Sequence, residues 1–116
     1  MGAVTVNKIG EIRISDDVLA TLAGKAAIGC YGIVGMASKR ATDGLVELLG
    51  SDNLSKGVKV TSQGNEIVID LFIVVEYGIA IAAVAQNVID TVKYTVEKLT
   101  GTTVKKVNIK VEGVRV

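Results

Sequence analysis

Residues 66–77 constrain the fold more than any other part of this sequence. One parity of this stretch is fully apolar and the other is apolar in part: the two sets are Ile67, Ile69, Leu71, Ile73, Val75, Tyr77 and Val68, Phe72, Val74. Period-two alternation predicts a β-strand, and apolar residues on both faces predict a central place in a sheet. Residues 58–63 also have strand character, and Gly64-Asn65 predicts a two-residue turn of the type II′ kind between the two strands. The sequence therefore predicts a β-hairpin.

Two segments show helical periodicity. After a predicted N-cap at Ser15, apolar residues recur at spacings of three and four, namely Val18, Leu19, Leu22, Ala23, Ala26 and Ala27. The second pattern is longer and ends at Gly101; its apolar stripe is Ile81, Ala85, Val88, Val92, Val96 and Leu99. Both segments are predicted to be amphipathic helices that pack on a sheet.

Shorter elements fill the remaining positions. Residues 4–14 predict one extended strand, residues 33–36 predict a short strand after a glycine-rich bend, and residues 107–116 predict the last strand. The apolar parity of the last strand flips after Gly113, which predicts a β-bulge there. A short helix is predicted from a cap at Thr42 or Asp43 to a stop at Gly50, with Leu45, Leu48 and Leu49 as its apolar face. Residues 51–57 predict a polar loop.

This order predicts an α+β fold, a two-layer sandwich in which two main helices cover a small mixed sheet. The elements run β-α-β-α(short)-β-β-α-β within a single domain, residues 1–116. Only 3% of the residues are aromatic, so the core has to be built from Val, Ile, Leu and Ala. One face of the sheet is predicted to carry no helices, which leaves it exposed or available to a partner.

The composition removes most catalytic chemistry. The chain has no histidine and a single cysteine, Cys30, which argues against Ser-His-Asp catalysis, thiolate metal cages and intrachain disulfides. No P-loop, dinucleotide-binding glycine fingerprint or calcium loop occurs in the sequence. We therefore expect no catalytic residues, no metal and no cofactor.

Three features leave an alternative open. Asp70 and Glu76 lie in an apolar stretch, so a carboxylate enzyme or small-ligand carrier remains a hypothesis beside that of solvated side chains. Cys30 is a nucleophile candidate, but nothing nearby activates it, and a buried structural thiol is the simpler interpretation. Residues 29–32 and 32–35 both match GxxG, with which KH domains grip nucleic acid, although glycines at a close-packed bend explain the same pattern.

The charge balance also bears on the partner. Thirteen basic and twelve acidic residues give a net charge of +1, which disfavours nucleic acid as a partner. Lys105, Lys106 and Lys110 form a modest basic set that suits a solvated or edge-protecting role, with a binding patch as the alternative. The candidate partner contacts are Tyr31, Lys39, Arg40, Lys93 and Tyr94.

No membrane span or secretory signal is predicted. The apolar stretch 67–89 is interrupted by Asp70 and Glu76, and its charge-free part, residues 77–89, is 13 residues long against the approximately 20 that a span needs. We interpret it as a buried strand followed by a buried helix face. The expected location is the cytoplasm, with any attachment to the inner membrane made through a partner or through the surface of the protein.

Four segments in the same order resemble the alkaline shock protein family. They are residues 26–39 (AAIGCYGIVGMASK), the apolar strand and YG of residues 66–78, the helix segments 85–88 (AQNV) and 92–96 (VKYTV), and residues 107–115 (VNIKVEGVR). Together they cover nearly the whole chain. The variants CYGIVGMA and VNIKVEGVRV are most similar to the YloU-like branch of that family.

The resemblance implies a small cytoplasmic protein of Gram-positive bacteria with a role in envelope stress or homeostasis. Relatives in the family associate with the inner side of the membrane through a membrane-anchored partner. In YloU-like branches the gene tends to neighbour a kinase gene of the dihydroxyacetone or fatty-acid type. The family has no known catalytic residues, and this chain lacks the long charged extensions of some relatives.

Three functional hypotheses follow. The first is a non-catalytic interaction or scaffold protein that binds a membrane-anchored or kinase-like protein and can form a homo-oligomer. The second is a small-ligand carrier or an accessory subunit of a fatty-acid or dihydroxyacetone-type kinase. The third is a KH-like nucleic-acid module.

Overall fold

A four-stranded mixed sheet forms the centre of the structure, a computed structural model that describes residues 3–7, 10–38 and 48–115. In chain order the elements are β1 (Ala3–Asn7), β2 (Gly10–Ile14), α1 (Asp16–Ile28), β3 (Ile33–Met36), a 3-10 helix (Ser51–Gly57), β4 (Val58–Gln63), β5 (Glu66–Glu76), α2 (Ile81–Thr100) and β6 (Thr103–Arg115). The predicted α+β class with a mixed sheet and two main helices is confirmed.

Strand β5 is central, as its two apolar faces predicted. β6 pairs with it in parallel along its whole length, from Glu66 opposite Thr103 to Glu76 opposite Arg115. β4 and β3 are antiparallel to β5 and pair with its first and last parts. Since β6 occupies one edge of β5 throughout, β3 and β4 must share the other edge. The sheet is therefore three strands wide at each level, and α2 makes the crossover between the parallel strands.

The core lies between one face of this sheet and the two helices. Its largest contribution comes from alternate, fully buried residues of β5: Ile67, Ile69, Leu71, Ile73 and Val75. The helix α2 contributes a buried stripe at spacings of four, namely Val84, Val88, Val92 and Val96. A fully buried aliphatic side chain of this size stabilises the fold by about 1.5–3 kcal/mol relative to an exposed one.

Helix α1 starts where the sequence predicted and buries the predicted Leu19, Ala23 and Ala27, but its buried face is rotated from Val18 towards Ala20 and Gly24. The Ser15 side chain accepts a hydrogen bond from the Val18 amide at 3.2 Å, so Ser15 is the N-cap. Val18 itself is 50% exposed, and the buried face comprises Leu19, Ala20, Ala23, Gly24 and Ala27. The small residues decide this orientation, because a Cβ atom at Gly24 would lie 3.1 Å from the Cβ of Leu54 in the 3-10 helix.

The predicted single strand over residues 4–14 is wrong. The segment forms the antiparallel pair β1–β2, in which Asn7 lies opposite Gly10 and Ala3 opposite Ile14. Periodicity cannot distinguish one long strand from two short antiparallel strands, whereas asparagine and glycine both favour a chain reversal. This two-stranded sheet is separate from the main one.

The predicted short helix from Thr42 or Asp43 to Gly50 falls mostly outside the described residues. At its described end, Leu48 forms an antiparallel bridge with Ala37, and the Leu49 amide donates to the Met36 carbonyl at 2.9 Å. These extended contacts contradict a helix at Leu48. The 3-10 helix lies over residues 51–57 instead, where a polar loop was predicted.

The predicted β4–β5 hairpin and the bulge in β6 are confirmed. Gln63 lies opposite Glu66, and Gly64 has a φ of +66° in the two-residue turn between them. In β6 the register shifts between Ile73 and Val74, so Val111 and Gly113 face consecutive residues of β5 and Glu112 is the extra residue. A second shift, between Ile67 and Val68, leaves Lys105 as an extra residue.

Candidate interaction site

A cleft of about 370 Å³ opens at the end of the sheet where α1, β5 and α2 meet. Three segments form it: the turn after α1, the loop after β5 and the first two turns of α2. Its lining residues are Tyr31, Gly78, Ile79, Ala80, Ala83, Val84 and Asn87. None of these side chains carries a charge, so the cleft offers apolar surface with one amide and one phenol.

Gly32 holds the turn of the first segment against the other two. Its φ is +88°, and a Cβ atom there would lie 2.9 Å from Val84 Cγ2 and 3.0 Å from Ile79 Cδ1. The Gly32 carbonyl accepts a hydrogen bond from the Glu76 amide at 2.9 Å. The cleft wall therefore depends on a residue without a side chain at position 32, and the neighbouring Tyr31 is positioned by backbone that is anchored to β5.

Two tyrosines project into solvent at this end of the molecule. Tyr31 lines the cleft and is 78% exposed, and Tyr77, directly before Gly78, is 70% exposed. The Tyr77 amide donates to the Arg115 carbonyl at 2.8 Å, which ties this loop to the end of β6. Tyrosine is enriched at protein interfaces because it buries a large ring and keeps a polar group for a hydrogen bond.

The solvent face of α2 extends this surface towards Tyr94. Asn87 and Tyr94 are seven residues apart, which places them on the same side of the helix about two turns from each other. Tyr94 is 63% exposed, and its hydroxyl accepts a hydrogen bond from Lys98 Nζ at 3.0 Å. Lys93 is exposed on the same helix, but one residue from Tyr94 and so about 100° around the axis.

The structure describes three of the five predicted contact residues, and they differ in their distance from the cleft. Tyr31 lines the cleft, Tyr94 lies further along the same face of α2, and Lys93 lies to one side of that face. Lys39 and Arg40 fall outside the described residues, and their role stays a prediction.

Neither of the two carboxylates singled out in the sequence is fully buried. Asp70 is half-buried on the helix-free face of the sheet, where its Oδ1 accepts a hydrogen bond from Asn108 Nδ2 at 2.8 Å. Glu76 is exposed at the end of β5. Neither lines the cleft at Tyr31, so the geometry favours the solvated or paired interpretation over a catalytic one.

The cysteine and the glycines have packing roles. Cys30 is 9% exposed within the core, and its Sγ donates to the Ala26 carbonyl at 3.5 Å. Gly32 and Gly35 are buried, and a Cβ atom at Gly35 would lie 3.0 Å from Leu48 Cδ2. The burial of Gly32 and Gly35 favours the packing interpretation of the second GxxG match, residues 32–35, whereas Gly29 of the first match is exposed.

The described residues contain neither a metal-ligand cluster nor a membrane-crossing helix. Among them no three His, Cys, Asp or Glu side chains lie together as metal ligands would. None of the helices described is long and apolar enough to cross a bilayer.

Sequence reasoning missed the cleft itself. Its walls come from residues about fifty positions apart, and the charge-free stretch 77–89 was interpreted as buried. In the structure much of that stretch is exposed, including Ile81 at 45%. The absence of charge from a segment directly after a strand was the available indication, because exposed loops usually carry polar residues.

Fold and site together define a small α+β domain with an uncharged, tyrosine-edged cleft and no assembled catalytic group among the described residues. The chain belongs to the alkaline shock protein family, described as having a cell envelope-related function, whose model matches residues 4–116. The resemblance seen in the four sequence segments is therefore confirmed.

Relatives of similar length support the assignment. YloU of Bacillus subtilis is 54% identical over 110 residues, which are 94% of this chain and 92% of that protein. Spy1614 of Streptococcus pyogenes is 41% identical over 94% of this chain and 91% of its own. YqhY of Bacillus subtilis is 34% identical over 92% of this chain and 78% of its own.

Among solved structures, the zinc form of a MamM CTD variant is similar to this chain. The TM-score is 0.52 at 12% sequence identity, and the match covers 86% of this chain and 87% of that one. At this identity the likeness concerns the fold alone.

Proposed function

We propose that this chain is a non-catalytic interaction protein that serves cell-envelope homeostasis or stress by binding a protein partner at the cleft. The observation that carries the proposal is the uncharged cleft with the exposed Tyr31 at its edge. An exposed tyrosine at the edge of an uncharged cleft suits a protein interface, because tyrosine buries a large ring and keeps a polar group for a hydrogen bond.

The chemistry of the lining indicates what the partner presents. The cleft is of a size to take one or two apolar side chains, and Tyr31 and Tyr77 can cover them once bound. Asn87 supplies an amide that can pair with a backbone group of the partner. An aliphatic or aromatic anchor on a membrane-anchored or kinase-like protein would fit, and a charged anchor would be left without a counter-charge.

With this function we expect the protein in the cytoplasm, at the inner membrane when its partner is there. Dependence on a partner accords with the sequence, which has no histidine and one cysteine, and with the positions of Asp70 and Glu76 outside the cleft. A homo-oligomer is compatible with this function provided that the copies meet outside the cleft.

The test uses a photoreactive amino acid at position 31 of the tagged protein, expressed in cells that contain the native partner. Cross-linking at position 31 should capture the same single protein in repeated experiments. The same group at position 99, where Leu99 is 64% exposed at the far end of α2, is the matched control and should not capture it.

A variant links the capture to the cleft. Tyr31→Ala should weaken recovery of the same partner by about tenfold or more, as expected for loss of an aromatic contact worth about 2 kcal/mol. Leu99→Ala should leave recovery unchanged. Equal recovery with both variants would contradict the assignment of the cleft, and substrate turnover abolished by Asp70→Asn in a folded protein would contradict the non-catalytic function.

A small-ligand carrier, or an accessory subunit of a fatty-acid or dihydroxyacetone-type kinase, is the second candidate. The volume of the cleft favours it, since about 370 Å³ falls in the range of small-molecule sites. Native mass spectrometry of the protein purified without detergent separates the two: a bound apolar small molecule that is lost in Tyr31→Ala would support the carrier.

A further inference from the structure

We propose that the face of the sheet that none of the described helices covers is a second binding surface, which docks on an anionic phospholipid bilayer. This open face is defined by exposed or half-buried residues whose side chains point away from α1 and α2, together with the bulge residue Lys105, whose Nζ reaches Gln63 on this side: Lys59, Thr61, Val68, Asp70, Phe72, Lys105, Lys106, Asn108 and Lys110. It lies on the opposite side of the sheet from the core that α1 and α2 cover.

The strand register brings together lysines that are distant in sequence. Lys59 lies opposite Asp70 across β4 and β5, while Lys106 lies beside Val68 and Lys110 beside Phe72 across β5 and β6. Lys105, the extra residue of the first bulge, turns towards β4, where its Nζ donates to Gln63 Oε1 at 3.3 Å. Gln63, Val68, Lys105, Lys106 and Asn108 line a shallow depression of about 450 Å³.

Positive charge predominates on this part of the surface. All four lysines are exposed, whereas the carboxylates of the same rows, Asp70 and Glu66, are half-buried. Asp70 is also engaged by the Asn108 amide at 2.8 Å. The chain as a whole has a net charge of only +1, so the open face concentrates basic groups that the rest of the molecule balances.

The basic groups are mixed with apolar surface. Lys110 Nζ lies 5.5 Å from the centroid of the Phe72 ring, and Phe72 and Val68 are both half-buried. A ring and a branched aliphatic side chain among flexible ammonium groups suit the boundary between headgroups and acyl chains.

The type of cation also favours a lipid surface. All four groups are lysines, whose ammonium is a point charge on a flexible stem, whereas arginine provides a rigid fork for paired hydrogen bonds. A fluid layer of anionic headgroups needs several mobile charges rather than fixed geometry. A cell-envelope role gives the protein access to such a layer.

Other occupants of the open face fit less well. A second copy would bring the four lysines against another four, and both bulges of β6 disturb the edge that strand addition would use. Single-stranded nucleic acid is usually held by several stacking aromatics, and Phe72 is the one aromatic residue of the open face.

The experiment measures sedimentation of the purified protein with phosphatidylcholine vesicles that contain one-third phosphatidylglycerol, and with pure phosphatidylcholine vesicles. Binding is expected with the anionic vesicles alone. It should weaken steeply as salt rises from about 0.01 M to about 0.15 M, because the Debye length falls from about 30 Å to about 8 Å.

The charge-reversal variant Lys106→Glu/Lys110→Glu should bind the anionic vesicles at least twenty-fold more weakly, since each lysine near an anionic surface contributes roughly fivefold. The matched control is Lys25→Glu/Lys56→Glu, which changes the net charge equally at exposed positions of α1 and the 3-10 helix. The control variant should keep most of the binding. If charge reversal unfolds the protein, Lys106→Gln/Lys110→Gln tests the same face with about half the charge change.

Three outcomes would overturn the proposal: no binding to anionic vesicles at low salt, equal weakening by the test and control variants, or equal binding to neutral vesicles. A single-stranded oligonucleotide or a second copy of the chain bound through the same lysines, without vesicle binding, would assign the face elsewhere. Cross-linking at position 31 should persist in the charge-reversal variant, so failure of this proposal is separable from failure of the partner-binding proposal.

Discussion

Gly57 shows how closely single residues are packed where the 3-10 helix joins β4. A Cβ atom at this position would lie 2.6 Å from the Ala37 carbonyl oxygen, 3.0 Å from Met36 Cβ and 3.1 Å from Leu49 Cδ1. The positions of the Ala37 oxygen and the Met36 Cβ are fixed by the backbone, so neither atom can rotate away from an added methyl group. Glycine is required here for space, and neither the periodicity nor the composition of the sequence marks it.

We expect Gly57→Ala to lower the free energy of unfolding by about 1–3 kcal/mol, because the added methyl forces the backbone near Ala37 to move. Gly50→Ala is the matched control. Its backbone, at φ −72° and ψ 168°, suits alanine, and a Cβ atom there would meet nothing within 4 Å. The control should be neutral or stabilising by up to about 1 kcal/mol. Urea denaturation of both variants measures the difference, and equal midpoints would show that the packing at Gly57 is looser than described.

Tyr31 could be predicted as a contact residue from the sequence, whereas the cleft that it lines could not. An exposed aromatic residue beside glycines in a chain poor in aromatics is visible in the sequence. Its neighbours Ile79 and Val84 come from another part of the chain, and the contact depends on Gly32 approaching them closely. Nothing local encodes that approach.

The buried face of helix α2 could be predicted from the sequence, but its side-chain contact with β6 could not. Its buried valines recur with helical spacing, and Gly101 ends it with a φ of +73°, as the sequence predicted. The connection is made by Glu97, whose Oε2 accepts a hydrogen bond from the Val104 amide at 2.9 Å. This contact joins the last turn of α2 to the first residues of β6.

Glu97→Ala should lower the free energy of unfolding by about 1–2 kcal/mol, because the Val104 amide loses its acceptor in a partly buried position. Glu97→Gln retains a side-chain oxygen and should lose less than half of that. The comparison needs both variants in the same urea titration with unchanged slope, so that the loss reflects stability alone. A Gln variant as unstable as the Ala variant would mean that charge, and not the hydrogen bond, supports the contact.

For β1 and β2 the sequence predicted the strand character but not the number of strands. Their alternation is evident in the sequence, yet the antiparallel pairing that places Asn7 opposite Gly10 makes two strands of the predicted one. The register then pairs Val4 with Arg13 and Val6 with Glu11. Alternation of apolar and polar residues indicates a β-strand, but it does not indicate where one strand ends and an antiparallel strand begins.

At the scale of the whole molecule, the structure has two sheets of different character. Within the part of the chain that the structure describes, β1 and β2 pair only with each other, whereas β5 is paired on both edges and its core-facing side chains are fully buried. A two-stranded hairpin by itself is marginally stable in water, while a central strand opens only with the global unfolding of the domain. The molecule should therefore lose its two sheets separately.

Hydrogen exchange tests this expectation. Amides of β1 and β2 that are paired should exchange at least about a hundredfold faster than those of β5, which corresponds to about 2.7 kcal/mol less stability against opening. β4, an edge strand of the main sheet, provides the internal comparison and should exchange between the two. Equal protection of the hairpin and β5 would contradict this and imply one cooperative unit.

The relative position of the two proposed surfaces is a property of the whole molecule. The cleft at Tyr31 lies at the end of the helix layer, and the open face lies on the other side of the sheet. A protein that uses both can hold a partner while it rests on a bilayer. Three of the open-face lysines were visible as a set near the end of the sequence, but Lys59 joins them only through the pairing of β4 with β5.

The order of residues along the chain was enough to define the layers of this protein: a central strand apolar on both faces, a hairpin at Gly64-Asn65, two amphipathic helices and a bulge beside Gly113. Such features depend on the spacing of neighbours, which a linear pattern records. The pairing of β1 with β2, the rotation of the buried face of α1, the cleft and the grouping of lysines on the open face emerged only in the folded chain. Each of these depends on strand register or on close approach between distant segments, and the free energy that selects them comes from packing that local spacing does not specify.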